Sequence, residues 1–291
     1  MRSPYPWMGG KFYEKKWVIP LMPKHEWYGE VFFGSGVLLL NKPPSREEFA
    51  NDLFSEIVSF WNTLRSATLT RKLFNKMQWC LDSRQTYQDY MRVKPEELDK
   101  VDRAYRFLFL IKFGFNSYMN TFYSPASHKI GKIKDFMMVW ENTAKQLYEY
   151  HDRVKNVHFS NYDFRQFLKK IKPHPRKFLF LDPPYIDTHS YDEYYAEGKF
   201  NKDLYIDMRN HLAEHHKGGT MWQITCHQKN TYFDEMDDII IKLIDRKACM
   251  NSNEERADVK TKIIMNYDIK ETGSILDQYY DPEIEGEFLD V

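Results

Sequence analysis

The fold is decided by the stretch Trp27-Tyr28-Gly29-Glu30-Val31-Phe32-Phe33-Gly34-Ser35-Gly36. It predicts a short strand over Trp27–Phe32 that ends in a glycine turn, and Val37–Leu40 then begins a helix that stops before Pro43. Glu48–Asn51 predicts a second strand and Leu53–Leu64 an amphipathic helix. Strand, turn, helix, strand and helix in this order are typical of the start of an open parallel α/β sheet.

The same α/β order returns after a helical stretch. From about Arg65 to Val154, apolar residues recur at helical spacing and strand-like runs are few. Beyond it, strands are predicted at Val157–Phe159, Phe178–Leu181, Thr220–Ile224 and Lys262–Tyr267, with a helix over Leu204–His216. The predicted fold class is therefore α/β, an open sheet with an inserted, mostly helical segment.

The composition is that of a globular chain. Its 291 residues are 42% hydrophobic and 29% charged, which excludes a disordered or fibrous protein. No run of ~18 apolar residues and no signal-like N-terminus are present, so a soluble intracellular protein is expected. The 3 cysteines form no C-x-x-C and no His/Cys spacing suggests a ligand set, so no metal is expected.

The charges are balanced in total and segregated along the chain. Residues 65–155 hold 17 Lys/Arg against 10 Asp/Glu, a net charge of +7, whereas Asp268–Val291 holds 1 against 8, a net charge of −7. A nucleic-acid surface depends on the local field, so a neutral total does not exclude DNA. The alternative is that the basic segment is a solvated helical region.

The glycine turn Gly34-Ser35-Gly36 is the first candidate site. A dinucleotide fingerprint needs a third glycine where this chain has Leu39, so a smaller adenosyl ligand fits better than NAD. Asp52 ends the next predicted strand, where a carboxylate commonly accepts the two hydroxyls of a ribose. The alternatives are an ordinary tight turn and, for Asp52, the N-cap of the following helix.

The second candidate site is Asp182-Pro183-Pro184-Tyr185, directly after an apolar strand. Two prolines remove two donors, so the backbone carbonyls are held as acceptors. A carboxylate and a proline carbonyl suit the two N–H bonds of an exocyclic NH₂ group, and Tyr185 offers a face for a planar base. The alternative is a rigid Pro-Pro loop without a ligand.

These motifs resemble, in order and spacing, the Dam-type (D12 class) DNA adenine-N6 methyltransferases. The resemblance rests on Pro6–Lys11, Phe32–Gly36, Asn51-Asp52, Phe113–Asn116, Asn161–Phe164, Asp182–Tyr185 and Lys262–Tyr267. It implies a Rossmann-like class I S-adenosylmethionine-dependent methyltransferase sheet with an inserted helical target-recognition domain. The GATC-reading members carry a pattern from which Phe122–Ser127 departs, so the target sequence stays open.

The resemblance also implies roles for individual residues. The residues implied to bind S-adenosylmethionine are Trp7, Gly10, Lys11, Phe33, Gly34, Ser35, Gly36, Asp52, Asp163, Phe164 and Asp182. The tetrapeptide Asp182–Tyr185 would hold a flipped adenine, because a stacked amine cannot be reached by an enclosed methyl donor. The alternatives are a solvated loop charge for Lys11 and a core aromatic for Trp7.

The function expected from these residues is site-specific transfer of a methyl group from S-adenosylmethionine to adenine N6 in double-stranded DNA, without a metal. One alternative keeps the cofactor and changes the acceptor to an RNA base, a cytosine amine or a protein glutamine. Another is a catalytically silent DNA-binding module. We expect a monomer or weak dimer without membrane contact, acting in the cytoplasm of a prokaryotic or phage-type system, with or without a restriction partner.

Four segments are predicted: a first catalytic part at 1–64, the recognition insert at 65–155, a second catalytic part at 156–270 and an acidic tail at 271–291. The loop 116–134 is predicted to enter the DNA, since asparagine can read adenine, tyrosine can stack and lysine can hold phosphate. The residues predicted to do so are Asn116, Tyr118, Asn120, Tyr123, Lys129, Lys132 and Lys134.

Overall fold

The computed structural model describes residues 1–80, 83–114, 119, 122, 136–185, 200–247 and 258–278. Its strands are β1 (Trp27–Glu30), β2 (Glu47–Asn51), β3 (His158–Ser160), β4 (Lys177–Leu181), β5 (Met221–His227), β6 (Ile240–Lys247) and β7 (Asp258–Met265). Its helices are α1 (Lys15–Val18), α2 (Val37–Asn41), α3 (Ser55–Leu64), α4 (Ala67–Met77), α5 (Arg84–Arg92), α6 (Lys100–Phe113), α7 (Phe136–Lys145), α8 (Leu147–Val154), α9 (Phe164–Lys170), α10 (Lys202–Lys217) and α11 (Ile269–Thr272). Short 3₁₀ turns span Ile19–Leu21, Pro95–Glu97 and Ile275–Gln278.

The strands form one sheet of seven described strands in the order β3-β2-β1-β4-β5-β7-β6. The pairs β1–β4, β2–β3 and β4–β5 are parallel, and the chain order reverses between β1 and β4. An order that begins 3-2-1-4-5 is that of a doubly wound Rossmann-like sheet, so the predicted α/β sheet is confirmed. In such sheets ligands bind beyond the carboxyl ends of the strands at the reversal.

One end of the sheet differs from the expectation of an open parallel sheet. Strand β7 runs antiparallel to both β5 and β6, with Ile264 opposite Ile224 and Ile241. Strand β6 was not predicted from the sequence.

Local chemistry explains where the elements begin and end. Strand β4 is buried apart from its first residue and ends where proline removes the ladder donors. Helix α2 ends at Asn41, just before Pro43, because a proline ring excludes helical continuation. Helix α10 is capped by Asn201, whose side chain accepts the Leu204 N–H at 3.1 Å, and α6 is capped by Asp99.

The chain divides into two compact units. Unit 1 comprises residues 1–11, 33–40 and 49–163, and unit 2 comprises residues 12–32, 41–48 and 164–291. The core of unit 1 is aromatic: the Trp61 ring stacks on Phe159 with centroids 6.1 Å apart, and Tyr5 packs edge-on against Phe60 and Phe107. Helices α3, α4, α6 and α8 pack together in this unit.

Unit 2 is built on the central strands. Phe178, Trp222 and Ile264 of β4, β5 and β7 are fully buried, and α10 packs against β5. Residues 271–278 also belong to this unit, since buried Ile275 donates its N–H to the Met22 carbonyl at 2.9 Å. Residues 279–291 of the predicted acidic tail lie outside the described residues.

The segment 65–155 contains only helices, an isolated bridge between Gly114 and Phe122, and their connections, as far as it is described. Its role as a recognition domain, and the four predicted segment boundaries, stay predictions. In the described part of the chain, no helix is long and apolar enough to cross a membrane.

Candidate functional site

The turn after β1 requires glycine at two positions. Gly34 has φ +50° and Gly36 has φ +69°, a backbone region that L side chains rarely adopt. A Cβ atom on Gly36 would lie 2.4 Å from Cζ of Phe33, and one on Gly34 would lie 2.9 Å from the Trp7 ring. Glycine is therefore required at both positions, by the backbone conformation and by the Phe33 and Trp7 rings that pack against the turn.

The N-terminal segment of unit 1 packs onto the glycine turn. Half-buried Trp7 lies against Gly34 and stacks on Phe54 with ring centroids 6.0 Å apart. The Tyr5 hydroxyl donates to the Gly34 carbonyl at 2.7 Å and accepts from Nε1 of Trp61 at 2.8 Å. Helix α3, which carries Trp61, thus fixes both the segment and the turn.

Lys11 is held next to this turn and is not a solvated loop charge, so that alternative is wrong. Its side chain is buried, and Nζ donates to the Gly9 carbonyl at 2.9 Å. The preceding residue, Gly10, lies directly against Ser35 of the turn, since a Cβ atom on Gly10 would be 3.1 Å from Oγ of Ser35. A buried ammonium favours an anionic ligand group such as a carboxylate.

Asp52 faces the same turn with both carboxylate oxygens bonded. Oδ2 accepts the Gly34 N–H at 2.7 Å and Oδ1 accepts the Phe54 N–H at 2.9 Å. Helix α3 begins at Ser55 with Phe54 as its N-cap residue, so Asp52 closes a turn and does not cap the helix. Each oxygen keeps a second lone pair, and two such acceptors suit the two hydroxyls of a ribose.

Burial raises the pKa of Asp52 to about 6, although the backbone N–H groups of Phe54 and Gly34 act in the opposite direction. The ionised form, which is the better acceptor, is thus favoured only above this pH. The carboxyl group changes charge close to neutrality, as groups at functional sites often do.

Two asparagines, for which no role was predicted, hold the loop after β3 beside Asp52. Asn51 donates from Nδ2 to the Tyr162 carbonyl at 2.9 Å and accepts at Oδ1 from Ser160 and the Tyr162 N–H. Asn161 donates to the carbonyls of Asp52 and Leu53 at 2.8 and 2.7 Å. These bonds fix the loop that leads into Asp163.

The predicted pair Asp163 and Phe164 is divided between the units. Asp163 is the last residue of unit 1, and Phe164 begins α9 in unit 2. The Phe164 ring is buried and packs against Phe32 and Phe200 with centroids 5.7 and 5.9 Å apart. A role of either residue in cofactor binding stays a prediction.

In unit 2, the carboxyl end of β4 carries Asp182. The register of the parallel strands places Leu181 opposite Ile224, so the next residues, Asp182 and Thr225, also meet. The Thr225 hydroxyl donates to Oδ1 of Asp182 at 2.7 Å. One oxygen of the carboxylate is thereby fixed.

The rest of the tetrapeptide is held from α10. The Tyr205 hydroxyl donates to the Pro184 carbonyl at 3.0 Å. Burial raises the pKa of Tyr205 well above its ordinary value, so the hydroxyl stays protonated and remains a donor. The Tyr185 ring is half-buried, with its centroid 6.4 Å from that of the His227 ring.

The predicted DNA-binding residues Asn116, Tyr118, Asn120, Tyr123, Lys129, Lys132 and Lys134 lie outside the described residues. Among the predicted cofactor residues, Trp7, Gly10, Lys11, Phe33–Gly36 and Asp52 are brought together in unit 1. Asp182–Tyr185 lie in unit 2. The residues in unit 1 can bind hydroxyl groups through Asp52 and an anion through Lys11. The tetrapeptide in unit 2 has oxygen acceptors that can bind an amine.

Residues 7–251 match the sequence model of the D12 class N6 adenine-specific DNA methyltransferases. No curated protein matches the chain. Among solved structures, the rRNA methyltransferase aviRa from Streptomyces viridochromogenes is 11% identical, with a TM-score of 0.40 over 90% of this chain and 85% of that one. A conserved hypothetical protein from Streptococcus pyogenes is 8% identical, with a TM-score of 0.36 over 89% of this chain and 96% of that one. Likenesses this weak do not bear on function.

The family match covers well over half of the chain and includes both the glycine turn and the Asp182 tetrapeptide. The resemblance seen in the motifs is therefore confirmed. The chain belongs to the D12 class N6 adenine-specific DNA methyltransferases and is thus an S-adenosylmethionine-dependent enzyme that methylates adenine in DNA.

Proposed function

We propose that this enzyme methylates N6 of an adenine that has been rotated out of duplex DNA and is held by Asp182–Tyr185. The observation that carries the proposal is the Asp182 carboxylate at the end of β4, which has one oxygen fixed by Thr225. The other oxygen and a proline carbonyl can accept the two N–H bonds of the target amine. An amine inside a stacked pair is out of reach, which is why the base must be extruded.

The chemistry asked of these residues is orientation. The N6 lone pair is delocalised into the adenine ring, and two acceptors on its N–H bonds turn it toward the methyl carbon. Bound S-adenosylmethionine supplies this electrophilic methyl group, whose bond to sulfur breaks as the bond to N6 forms. N6 then gives up one proton, for which Oδ2 of Asp182 is the acceptor we propose. No covalent enzyme intermediate is needed.

The unit 1 residues fit the cofactor. Asp52 has spare lone pairs for ribose hydroxyls, and Lys11 supplies a buried ammonium for a carboxylate. Trp7 and Phe33 line the glycine turn, and Ser35 lies against Gly10. We propose these residues, with Asp163 and Phe164, as the cofactor-binding set.

The decisive experiment incubates the purified chain with labelled S-adenosylmethionine and, separately, with duplex DNA, RNA and protein. Mass spectrometry of the digested products then identifies the acceptor. N6-methyladenine in DNA supports the proposal, whereas N4-methylcytosine, methylated RNA or methylglutamine would establish an alternative acceptor. No transfer to any acceptor would support a silent DNA-binding module.

Cofactor affinity should depend on the ionisation of Asp52. Because the pKa of Asp52 is about 6, the group is mostly protonated at pH 5 and loses an acceptor for ribose. We expect S-adenosylhomocysteine to bind about tenfold more weakly at pH 5 than at pH 7, measured by calorimetry. Asp52→Asn should abolish this dependence, and Asp99→Asn, which alters a carboxylate that caps α6, should leave it unchanged.

The same shift affects folding with a definite sign. The pKa of Asp52 is higher in the folded chain than its ordinary value of 3.8, so the folded state binds more protons between pH 3.8 and about 6. This contribution to stability is complete below pH 3.8 and is lost as the pH rises through about 6. The cofactor prediction has its own test: if the affinity of the wild type for S-adenosylhomocysteine were the same at pH 5 and pH 7, Asp52 would not bind the ribose as proposed.

DNA binding is supported by the charge of the first recognition helices. Residues 65–94 contain 7 Lys/Arg and 2 Asp/Glu, a net charge of +5, and Trp79 among them is 85% exposed. A basic surface with an exposed aromatic ring is typical of nucleic-acid contact. We propose that this surface assists the loop 116–134, whose residues Asn116, Tyr118, Asn120, Tyr123, Lys129, Lys132 and Lys134 we propose as DNA contacts.

The double variant Arg71→Ala/Lys72→Ala should weaken binding to duplex DNA of every sequence. Both side chains are exposed on α4, and for each phosphate that is no longer neutralised the slope of log K against log salt should flatten by about 0.9. The measurement is fluorescence anisotropy across a salt series. The matched control is Lys169→Ala/Lys170→Ala on α9; equal slopes for both double variants would remove α4 from the DNA surface.

A further inference from the structure

We infer that Thr225 and Tyr205 are positioning residues for the reaction, and that they fix the Asp182–Tyr185 tetrapeptide at its first and third residues. The inference rests on the proposed function of Asp182 and extends it to two buried hydroxyl groups on different elements, β5 and α10. Neither residue is proposed to touch the substrate.

Thr225 holds the Asp182 carboxylate in one orientation through its Oδ1 oxygen. Its side chain is fully buried in β5, directly opposite Asp182 in the register that pairs Leu181 with Ile224. A threonine hydroxyl has one proton to donate, and here it is given to Oδ1 at 2.7 Å. This bond locks the carboxylate rotamer and stabilises its ionised form.

Tyr205 fixes the direction of the Pro184 carbonyl, which the proline ring itself does not set. The pyrrolidine ring sets φ of Pro184 and leaves ψ free, so the direction of the Pro184 carbonyl must be set by a contact. The buried Tyr205 hydroxyl provides it at 3.0 Å. The ring itself is held by Phe200, edge-on at 5.0 Å, and by Tyr232, stacked at 5.3 Å. The position of the Tyr205 hydroxyl is therefore fixed by the packing of its ring.

The two contacts predict different pH behaviour, which separates positioning from general stability. Thr225→Val keeps the volume and removes the hydroxyl, so kcat should fall about tenfold and its acid limb should move up by about one pH unit. Thr225→Ser, which keeps the hydroxyl, should have a kcat and an acid limb close to those of the wild type. Tyr205→Phe should also lower kcat but leave the acid limb in place, because a carbonyl does not titrate.

The controls remove equivalent buried hydroxyls from the same unit. Thr220→Val breaks the bond between the Thr220 hydroxyl and the His174 N–H, and Tyr267→Phe breaks a bond to the Leu21 carbonyl. Both should keep kcat while lowering the melting temperature about as much as the test variants. All variants are measured as full chains for kcat against pH, melting temperature and binding of S-adenosylhomocysteine.

The outcomes distinguish this inference from the function on which it rests. An active Asp182→Ala would overturn the proposed function. An inactive Asp182→Ala together with wild-type kcat in Thr225→Val and Tyr205→Phe, and an unmoved acid limb in Thr225→Val, would overturn only the positioning roles. A decrease in kcat that is equal in Thr225→Ser and Thr225→Val would leave Thr225 only a structural role. Equal decreases in the controls and the test variants would leave only a structural role for both residues.

Discussion

Asp182→Ala is expected to lower kcat for adenine methylation by about 10²- to 10³-fold, the usual effect of removing one preorganised polar group from a reaction centre. Asp182 is the only residue of the tetrapeptide that offers a carboxylate, and Thr225 already holds one of its oxygens. Binding of S-adenosylhomocysteine should stay largely intact, since the main proposed partner of this carboxylate is the target amine.

Asp182→Asn makes the test sharper because it keeps the shape of the side chain. Its amide has one acceptor oxygen, which Thr225 can occupy, and the NH₂ group would then face the N–H bonds of adenine. We expect a decrease in kcat close to that of alanine, measured by single-turnover methylation of duplex DNA. Asp203→Asn in the exposed first turn of α10 is the matched control. Near-normal turnover of Asp182→Ala would show that the reaction is centred elsewhere.

The strands next to the chain reversal could be predicted because their signals are local. The predicted β1 and β4 are short, mostly apolar runs followed by a glycine turn or by two prolines, and the structure shifts their ends by only a few residues. Strand β6 also holds an apolar run, Ile239–Ile241 with Leu243 and Ile244, but it was not predicted as a strand. Ile241 and Leu243 are exposed on it, because β6 lies at the edge of the sheet beside β7 and is not covered as the central strands are.

Some residues of the candidate site could also be predicted from local sequence, and others could not. Gly34 and Gly36 could be predicted as a tight turn, because only glycine adopts their φ without strain. The hydroxyls of Thr225 and Tyr205 could not, since within an apolar strand and an amphipathic helix they resemble ordinary core residues. Their contacts with the tetrapeptide join residues 43 and 21 positions apart, and follow from strand register and helix packing.

A buried ion-pair network holds the helix that supports the cofactor group. Glu56 of α3 accepts from Nε of Arg103 at 2.7 Å and from Nη1 of Arg106 at 3.3 Å, and Arg106 also donates to the Tyr90 carbonyl. Burial lowers the pKa of Arg106, although the Glu56 charge acts in the opposite direction. Helix α3 also carries Trp61, which fixes the Tyr5 hydroxyl on the glycine turn. The network thus links the helical core of unit 1 to the proposed cofactor residues.

Glu56→Ala should therefore reduce the free energy of unfolding by about 3–5 kcal/mol, because it leaves the buried guanidinium of Arg106 without its counter-charge. Urea denaturation of the full chain measures the change. Asp152→Ala breaks an exposed pair with Lys155 and should cost less than about 1 kcal/mol, which makes it the matched control. If the two variants were destabilised equally little, the network would not hold α3. If Glu56→Ala remains folded at low temperature, its affinity for S-adenosylhomocysteine should fall as well, since a loosened α3 releases the Tyr5 contact with the turn.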